Sequence, residues 1–170
     1  MNTDEQRKWQ FLKNAPAEDA KSPEVQALAA NIREIAKITA WPDWTFAYLA
    51  LSISRDCIKY QLDSIRVGRE QIDGFTDPHG SPLLPLIRGV DDCDAKARLF
   101  CALCIAGGIA AEMVPRWKGD ELAHVYAKVL LPLQAGQYEW RFVETILRRA
   151  TIGEESGHVP KEIDTGKWLF

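Results

Sequence analysis

Three residues of this 170-residue chain have the types and spacing for thiol chemistry: Cys93, His124 and Glu144. Cys93 stands in Asp91-Asp92-Cys93-Asp94-Ala95-Lys96-Ala97-Arg98-Leu99-Phe100, at the first turn of an apolar helix and behind a run of acidic capping residues. A thiol there feels the positive end of the helix dipole, which lowers its pKa. The first-turn amides have no intrahelical partner and can donate to an oxyanion. His124, in Ala-His-Val-Tyr-Ala-Lys-Val, has the side chain to take the thiol proton and return it to a leaving group. Glu144, in Trp-Arg-Phe-Val-Glu, has the carboxylate to hold the other ring nitrogen. If the strands carrying His124 and Glu144 form a hairpin that turns near Gln134, each lies ten residues from the turn. The simplest register then sets them opposite one another, with Cβ atoms about 5 Å apart.

Two local features oppose this assignment. Asp91, Asp92 and Asp94 surround the thiol with negative charge, which raises its pKa. A working Cys93 therefore requires those carboxylates to cap the helix or to pair with Lys96, Arg88 or Arg98. His124 also alternates with Tyr126 and Lys128 rather than with the aliphatic face of its strand. On spacing alone, the plain alternative stands beside the catalytic one: a cysteine packed in a core helix and a histidine with a structural role.

The elements that must position these residues are legible in part. Residues 1–21 are polar, with Trp9, Phe11 and Leu12 as isolated apolar points, and read as a frayed N-terminal arm that docks loosely. Ser22 followed by Pro23 and Glu24 opens a helix over about 22–39, with Val25, Leu28, Ala29, Ile32, Ile35 and Ala36 on one face. Trp41-Pro42 ends it. A second helix covers about 43–59, with Phe46, Leu49, Ala50, Ile53 and Cys57 sharing a face, so Cys57 reads as core. The stretch 64–75 is unclear. The turn cluster 76–82 contains His79 and, prolonged by Pro85 and Gly89, leads to Cys93. The cysteine helix runs to about Ala106, is apolar almost all round and therefore buried, and stops at Gly107-Gly108. Strands follow over 109–117, with Pro115 marking an edge, over 124–131, and over 138–147, with Trp140, Phe142 and Glu144 on one face. The organisation expected is an arm (1–21), one domain (22–153) and a C-terminal extension (154–170) ending in Lys167-Trp168-Leu169-Phe170.

Composition narrows the function classes. Hydrophobic residues make up 46% and charged residues 26%, and the formal net charge is −3. No basic stripe marks a nucleic-acid footprint, and the apolar runs are too short to span a bilayer. The N-terminus lacks the layout of a signal peptide, so a cytoplasmic protein is expected. The four cysteines, Cys57, Cys93, Cys101 and Cys104, fit free thiols in a reducing compartment better than a disulfide framework. Cys101-x-x-Cys104 has no second pair to complete a zinc set, and both read as packing residues, so neither metal nor cofactor is expected.

The blocks around the three candidates resemble a known superfamily. Gly89-Val90-Asp91-Asp92-Cys93-Asp94-Ala95-Lys96-Ala97 is similar to the Gly-Asp-Cys-Asp-Asp-x-Ala motif of transglutaminase-like proteins. Gly107-Gly108-Ile109-Ala110 occupies the place of the family's Gly-Ile turn. His124-Val125-Tyr126-Ala127-Lys128-Val129 resembles its His-Val-Trp-x-Glu-Val strand, Trp140-Arg141-Phe142-Val143-Glu144 its Trp-x-x-x-Asp, and Ile58-Lys59-Tyr60 its Ile-Arg-Tyr. The resemblance covers about 22–153 and is nearest to compact versions encoded among phage and prophage structural genes. Asp91 stands where the family has glycine, Ala95 where it has an acid, and Glu144 where it has aspartate.

The resemblance implies a papain-like α+β fold, with N-terminal helices and a buried cysteine-bearing helix packed on an antiparallel sheet. It implies a Cys93–His124–Glu144 triad that hydrolyses or transfers peptide or glutamine-like amides through an acyl-enzyme. Some members of the superfamily have lost activity. The alternative is therefore a scaffold that keeps the fold and serves in phage-type particle assembly, with phage structural proteins as partners and a virion-associated location.

Overall fold

Among the described residues, the long helices come first and the longer strands follow them. The structure, a computed structural model, describes residues 3–60 and 83–153. Its elements are α1 (Thr3–Asp19), α2 (Pro23–Ala36), α3 (Pro42–Asp56), β1 (Lys59–Tyr60), α4 (Leu84–Arg88), β2 (Val90–Asp91), α5 (Cys93–Ala106), β3 (Ala111–Lys118), β4 (Glu121–Pro132) and β5 (Tyr138–Val143). The fold is α+β, with helices packed on a three-stranded antiparallel sheet in the order β3-β4-β5. The expectations for 64–75, the turn cluster with His79, and the extension 154–170 lie outside the described residues. No helix among the described residues is long and apolar enough to cross a membrane.

α5 is the element around which the others are arranged. Asp92 caps it, its side chain accepting from the Ala95 amide at 3.1 Å. Ala97, Leu99, Phe100, Cys101, Ala102, Leu103 and Cys104 are all fully buried. A helix buried around its whole circumference needs partners on every side; α1, α2 and α3 cover one part of it, and β3 and β4 the other. The helix stops as expected at the two glycines: Gly108 takes a left-handed φ of 81°, and the Ile109 amide returns to the Cys104 carbonyl at 2.8 Å. Gly107 is required for space, because a Cβ there would lie 2.8 Å from Phe46 Cε1 and closer still to the rest of that ring edge.

The N-terminal segment corrects the expectation of a frayed arm. It is a 17-residue helix that buries Leu12, Ala15, Pro16 and Asp19. The Arg98 guanidinium of α5 forks onto the Asp19 carboxylate, Nε to Oδ2 at 2.5 Å and Nη2 to Oδ1 at 2.7 Å. Both residues are buried, so a charge-assisted fork holds what the sparse apolar residues of α1 could not hold alone.

α2 opens as its sequence dictates, with Ser22 Oγ accepting from the Val25 amide at 3.3 Å and Pro23 in the first turn. It ends at Ala36 rather than near Thr39, because the Thr39 hydroxyl takes the Ala36 carbonyl at 2.8 Å. Ile35 is exposed instead of joining the apolar face. α3 likewise ends early, at Asp56, which corrects the placing of Cys57 in the core: it is exposed. Lys96 of α5 sets this boundary, its ammonium donating to the carbonyls of Arg55 at 3.0 Å and Ile58 at 2.5 Å. Beyond it, β1 pairs with β2 in parallel, Lys59 with Val90 and Tyr60 with Asp91. That pairing ends two residues before Cys93 and fixes where α5 begins.

In the sheet, Val125, Ala127, Val129 and Leu131 of β4 are buried against the helices, while Tyr126, Lys128 and Leu130 are half-buried on the other face. β5 ends at Val143, short of the expected Leu147. Pro115 lies in an edge strand, where its missing amide is tolerated.

Candidate active site

His124 and Glu144 meet beside the start of β4, and Cys93, at the N-terminus of α5, lies near enough to feel the Glu144 charge and the Val125 amide. The backbone amide of Val125 hydrogen-bonds the Cys93 sulfur, which sets the thiol against β4 one residue past His124. His124 Nε2 lies 2.8 Å from Glu144 Oε2, and both residues are almost wholly buried. The other carboxylate oxygen accepts from the Ile146 amide at 3.1 Å. With Glu144 ionised, Nε2 carries the ring proton and Nδ1 is left with the lone pair of a base. Tyr126 stacks on the imidazole, ring centroids 6.1 Å apart and planes 22° from parallel, so the ring is held at one edge and over one face.

The contact between His124 and Glu144 is not the direct cross-strand pair that the spacing predicts. Pro132 pairs with Tyr138 around a 3-10 turn at Gln134–Gly136, which moves the centre of the hairpin one residue later. Continuing the Ala127–Val143 pairing by one residue sets Glu144 beside Tyr126, on the same face as His124 but diagonal to it. Diagonal neighbours are separated by about 7–8 Å, against about 5 Å for a direct pair. The longer reach of glutamate closes that gap. His124 does keep to the Tyr126 face, and it is buried there rather than exposed.

The electrostatics of the thiol also differ from expectation. The Cys93 thiol is pushed well above its ordinary range, first by burial, then by Asp94 and Asp92, with a smaller contribution from Glu144. The Val125 amide works the other way and does not prevail. Cys93 and His124 share no hydrogen bond, and burial together with Asp94 and Asp92 favours the neutral thiol.

The acidic belt is handled locally. Asp92 caps α5, and Asp91 Oδ1 accepts from the Asp92 amide at 3.0 Å. Asp94 Oδ1 accepts from the Ala95 amide at 3.0 Å, and its Oδ2 lies 3.6 Å from Lys8 Nζ of α1. Two of the three cations expected to pair with these acids are engaged elsewhere: Lys96 on the end of α3, Arg98 on Asp19. Two residues of the site were missed by sequence reasoning. Tyr126 was within reach, because it lies two residues from His124 in one strand; Lys8 carries no local signal.

Cys101 and Cys104 are fully buried, and among the described residues no group of three or more His, Cys, Asp or Glu side chains is placed to hold a metal. Comparison of the chain with protein-family models, with curated proteins and with solved structures gives no match.

Proposed function

We propose that the chain is a transglutaminase-like thiol enzyme of papain-like architecture, acting on peptide or glutamine-like amides through a Cys93–His124–Glu144 triad. One observation carries the reading: a buried His124–Glu144 pair at 2.8 Å, with the Cys93 sulfur bonded to the amide next in chain to that histidine.

Because the thiol rests neutral, its activation belongs to the attack itself. As Cys93 Sγ bonds to the substrate carbonyl carbon, the thiol proton passes to His124 Nδ1 and the carbonyl π pair moves onto oxygen. The amides of Cys93 and Asp94 are the first-turn donors not taken by a described residue, and they are the groups in reach of that oxyanion. Collapse of the adduct breaks the C–N bond, and the leaving amine takes the proton from Nδ1. A water or an acceptor amine then gives its proton to Nδ1 as it attacks the thioester carbonyl; the C–S bond breaks and the departing sulfur takes the proton back from Nδ1. Glu144 stabilises the imidazolium at both proton-transfer steps.

A p-nitrophenyl ester tests this in a Cys57→Ser background, which removes the exposed competing thiol. Intact-mass analysis is expected to find an acyl adduct on Cys93 that forms far more slowly in His124→Ala. Equal rates in the two proteins would remove the catalytic reading. They would favour the second one, a transglutaminase-like scaffold for phage-type assembly, to which the neutral thiol without a bond to imidazole already points.

A further inference from the structure

The N-terminal helix meets α5 at the nucleophile's own turn. Asp94 follows Cys93 directly, is 2% exposed, and has one oxygen on the Ala95 amide. Its other oxygen is buried and has no hydrogen-bond partner. A buried carboxylate with an unmatched oxygen beside a thiol is costly in itself and raises the cost of making a thiolate. The ion pair that answers it comes from Lys8, 3.6 Å from Oδ2, with about 30% of the lysine side chain exposed.

We propose that Lys8 is a positioning residue of the thiol site, an ammonium brought by α1 to offset Asp94 and so to keep the Cys93 thiolate within reach of His124. The assignment rests on the proposed catalytic reading for its purpose, although the charge effect itself does not require catalysis. The charged and polar groups around the thiol can be named element by element: Asp92 and Asp94 from α5, the Val125 amide from β4 and Glu144 after β5, with Lys8 of α1 paired to Asp94 and itself acted on by Cys93, and His124 held by Glu144. The acids oppose the thiolate, and Lys8 is a cation paired with one of them, Asp94. Its own environment keeps it charged: burial lowers its pKa, but Asp94, Asp92, Cys93 and Glu5 together hold it above the usual lysine value. A half-exposed lysine of an amphipathic helix, taken alone, would be a solvated surface residue; the buried unmatched Asp94 oxygen next to the nucleophile separates this one from that default.

The test compares the pH profile of Cys93 alkylation by iodoacetamide in the Cys57→Ser protein, in its Lys8→Met derivative and in its Lys8→Arg derivative. Lys8→Met is expected to move the profile to higher pH by on the order of one unit, about ten-fold slower alkylation at a fixed pH below the midpoint. Lys8→Arg is expected to restore the wild-type profile, because the charge and not the lysine shape is the agent. Where alkylation is too slow to follow, the carbon NMR shift of the Cys93 Cβ reports the same titration. A Lys8→Met profile that overlays the wild type, or a Lys8→Arg profile displaced as far as Lys8→Met, would overturn the proposal. Neither readout needs an acyl-enzyme, so the charge effect of Lys8 can survive where the catalytic reading fails.

Discussion

Replacing Asp19 by Asn removes one charge from a buried pair that joins residues 79 apart in sequence and leaves the shape of the side chain in place. Arg98, 5% exposed in the middle of α5, is then a guanidinium without its counter-charge. Breaking a buried ion pair from one side costs about 3–5 kcal/mol, because the surviving charge is neither solvated nor matched. A chain of this size has about 5–15 kcal/mol in all, so the loss is a large share of the total. With a urea dependence near 2 kcal/mol per molar, the unfolding midpoint should fall by about 2 M. The double variant Asp19→Leu/Arg98→Met removes both charges and refills the volume, and it should be more stable than either single change. Equilibrium urea unfolding followed by tryptophan fluorescence, with Trp9 on α1 as one reporter, measures the wild type, Asp19→Asn, the two singles Asp19→Leu and Arg98→Met, and the double variant. A cost below about 1 kcal/mol for Asp19→Asn, or a double variant as weak as the sum of the singles, would refute the reasoning. It would mean that α1 is held by its few apolar residues and that the fork is a solvated ornament.

Gly107→Ala places a methyl group against the fully buried ring of Phe46, which is also clasped by Arg33 at 4.5 Å from its centroid; thermal unfolding should show a loss of about 1–3 kcal/mol, and an unchanged midpoint would mean the ring can turn aside. Alkaline pH should destabilise the protein. Burial pushes the thiols of Cys93, Cys101 and Cys104 up, so above about pH 8.5 the unfolded chain releases three protons that the native state keeps. Lys96, pulled down to about 8 by burial, acts in the opposite sense between about pH 8 and 10.4, which leaves a net difference of about two protons and a loss of roughly 3 kcal/mol per pH unit near pH 9–10; denaturant midpoints flat across that window would contradict it. Glu144→Gln should slow ester acylation of Cys93 by about two to four orders of magnitude, and Glu144→Asp should do little better because the shorter side chain falls short of the diagonal imidazole; stopped-flow release of p-nitrophenol measures both, and full activity in Glu144→Asp would show that the diagonal register does not govern reach.

What the sequence revealed and what it hid divide by the range of the interaction responsible. The start of α2 and the cap and stop of α5 are written in neighbouring residues: Ser22-Pro23, Asp92, Gly107-Gly108. The burial pattern of β4 follows from alternation alone. The meeting of His124 and Glu144 was anticipated because strand spacing brings 124 near 144, yet the hairpin centre falls one residue later, which shifts every pairing by two. Cys57 was misplaced because the end of α3 is fixed by an ammonium 40 residues later in the chain, and Lys96 reads locally as an ordinary helix-surface lysine. α1 was taken for an arm because its anchors, Asp19 to Arg98 and Lys8 to Asp94, span more than 75 residues and leave no periodic trace. Burial of the half-buried Cys93 thiol and the flanking Asp94 and Asp92 push in one direction, and the flanking charges alone do not supply the first of these.

The reactive groups are strung along the chain in an order that matters during synthesis. A ribosome delivers the sulfur first, the imidazole some thirty residues later, and the acid that steadies the imidazole twenty residues after that. Until Glu144 has left the exit tunnel and β5 has paired with β4, nothing holds the ring in its working tautomer. The nascent polypeptide thus carries the thiol before its later neighbours exist, and the buried His124–Glu144 pair forms only after nearly all of the described sheet has assembled.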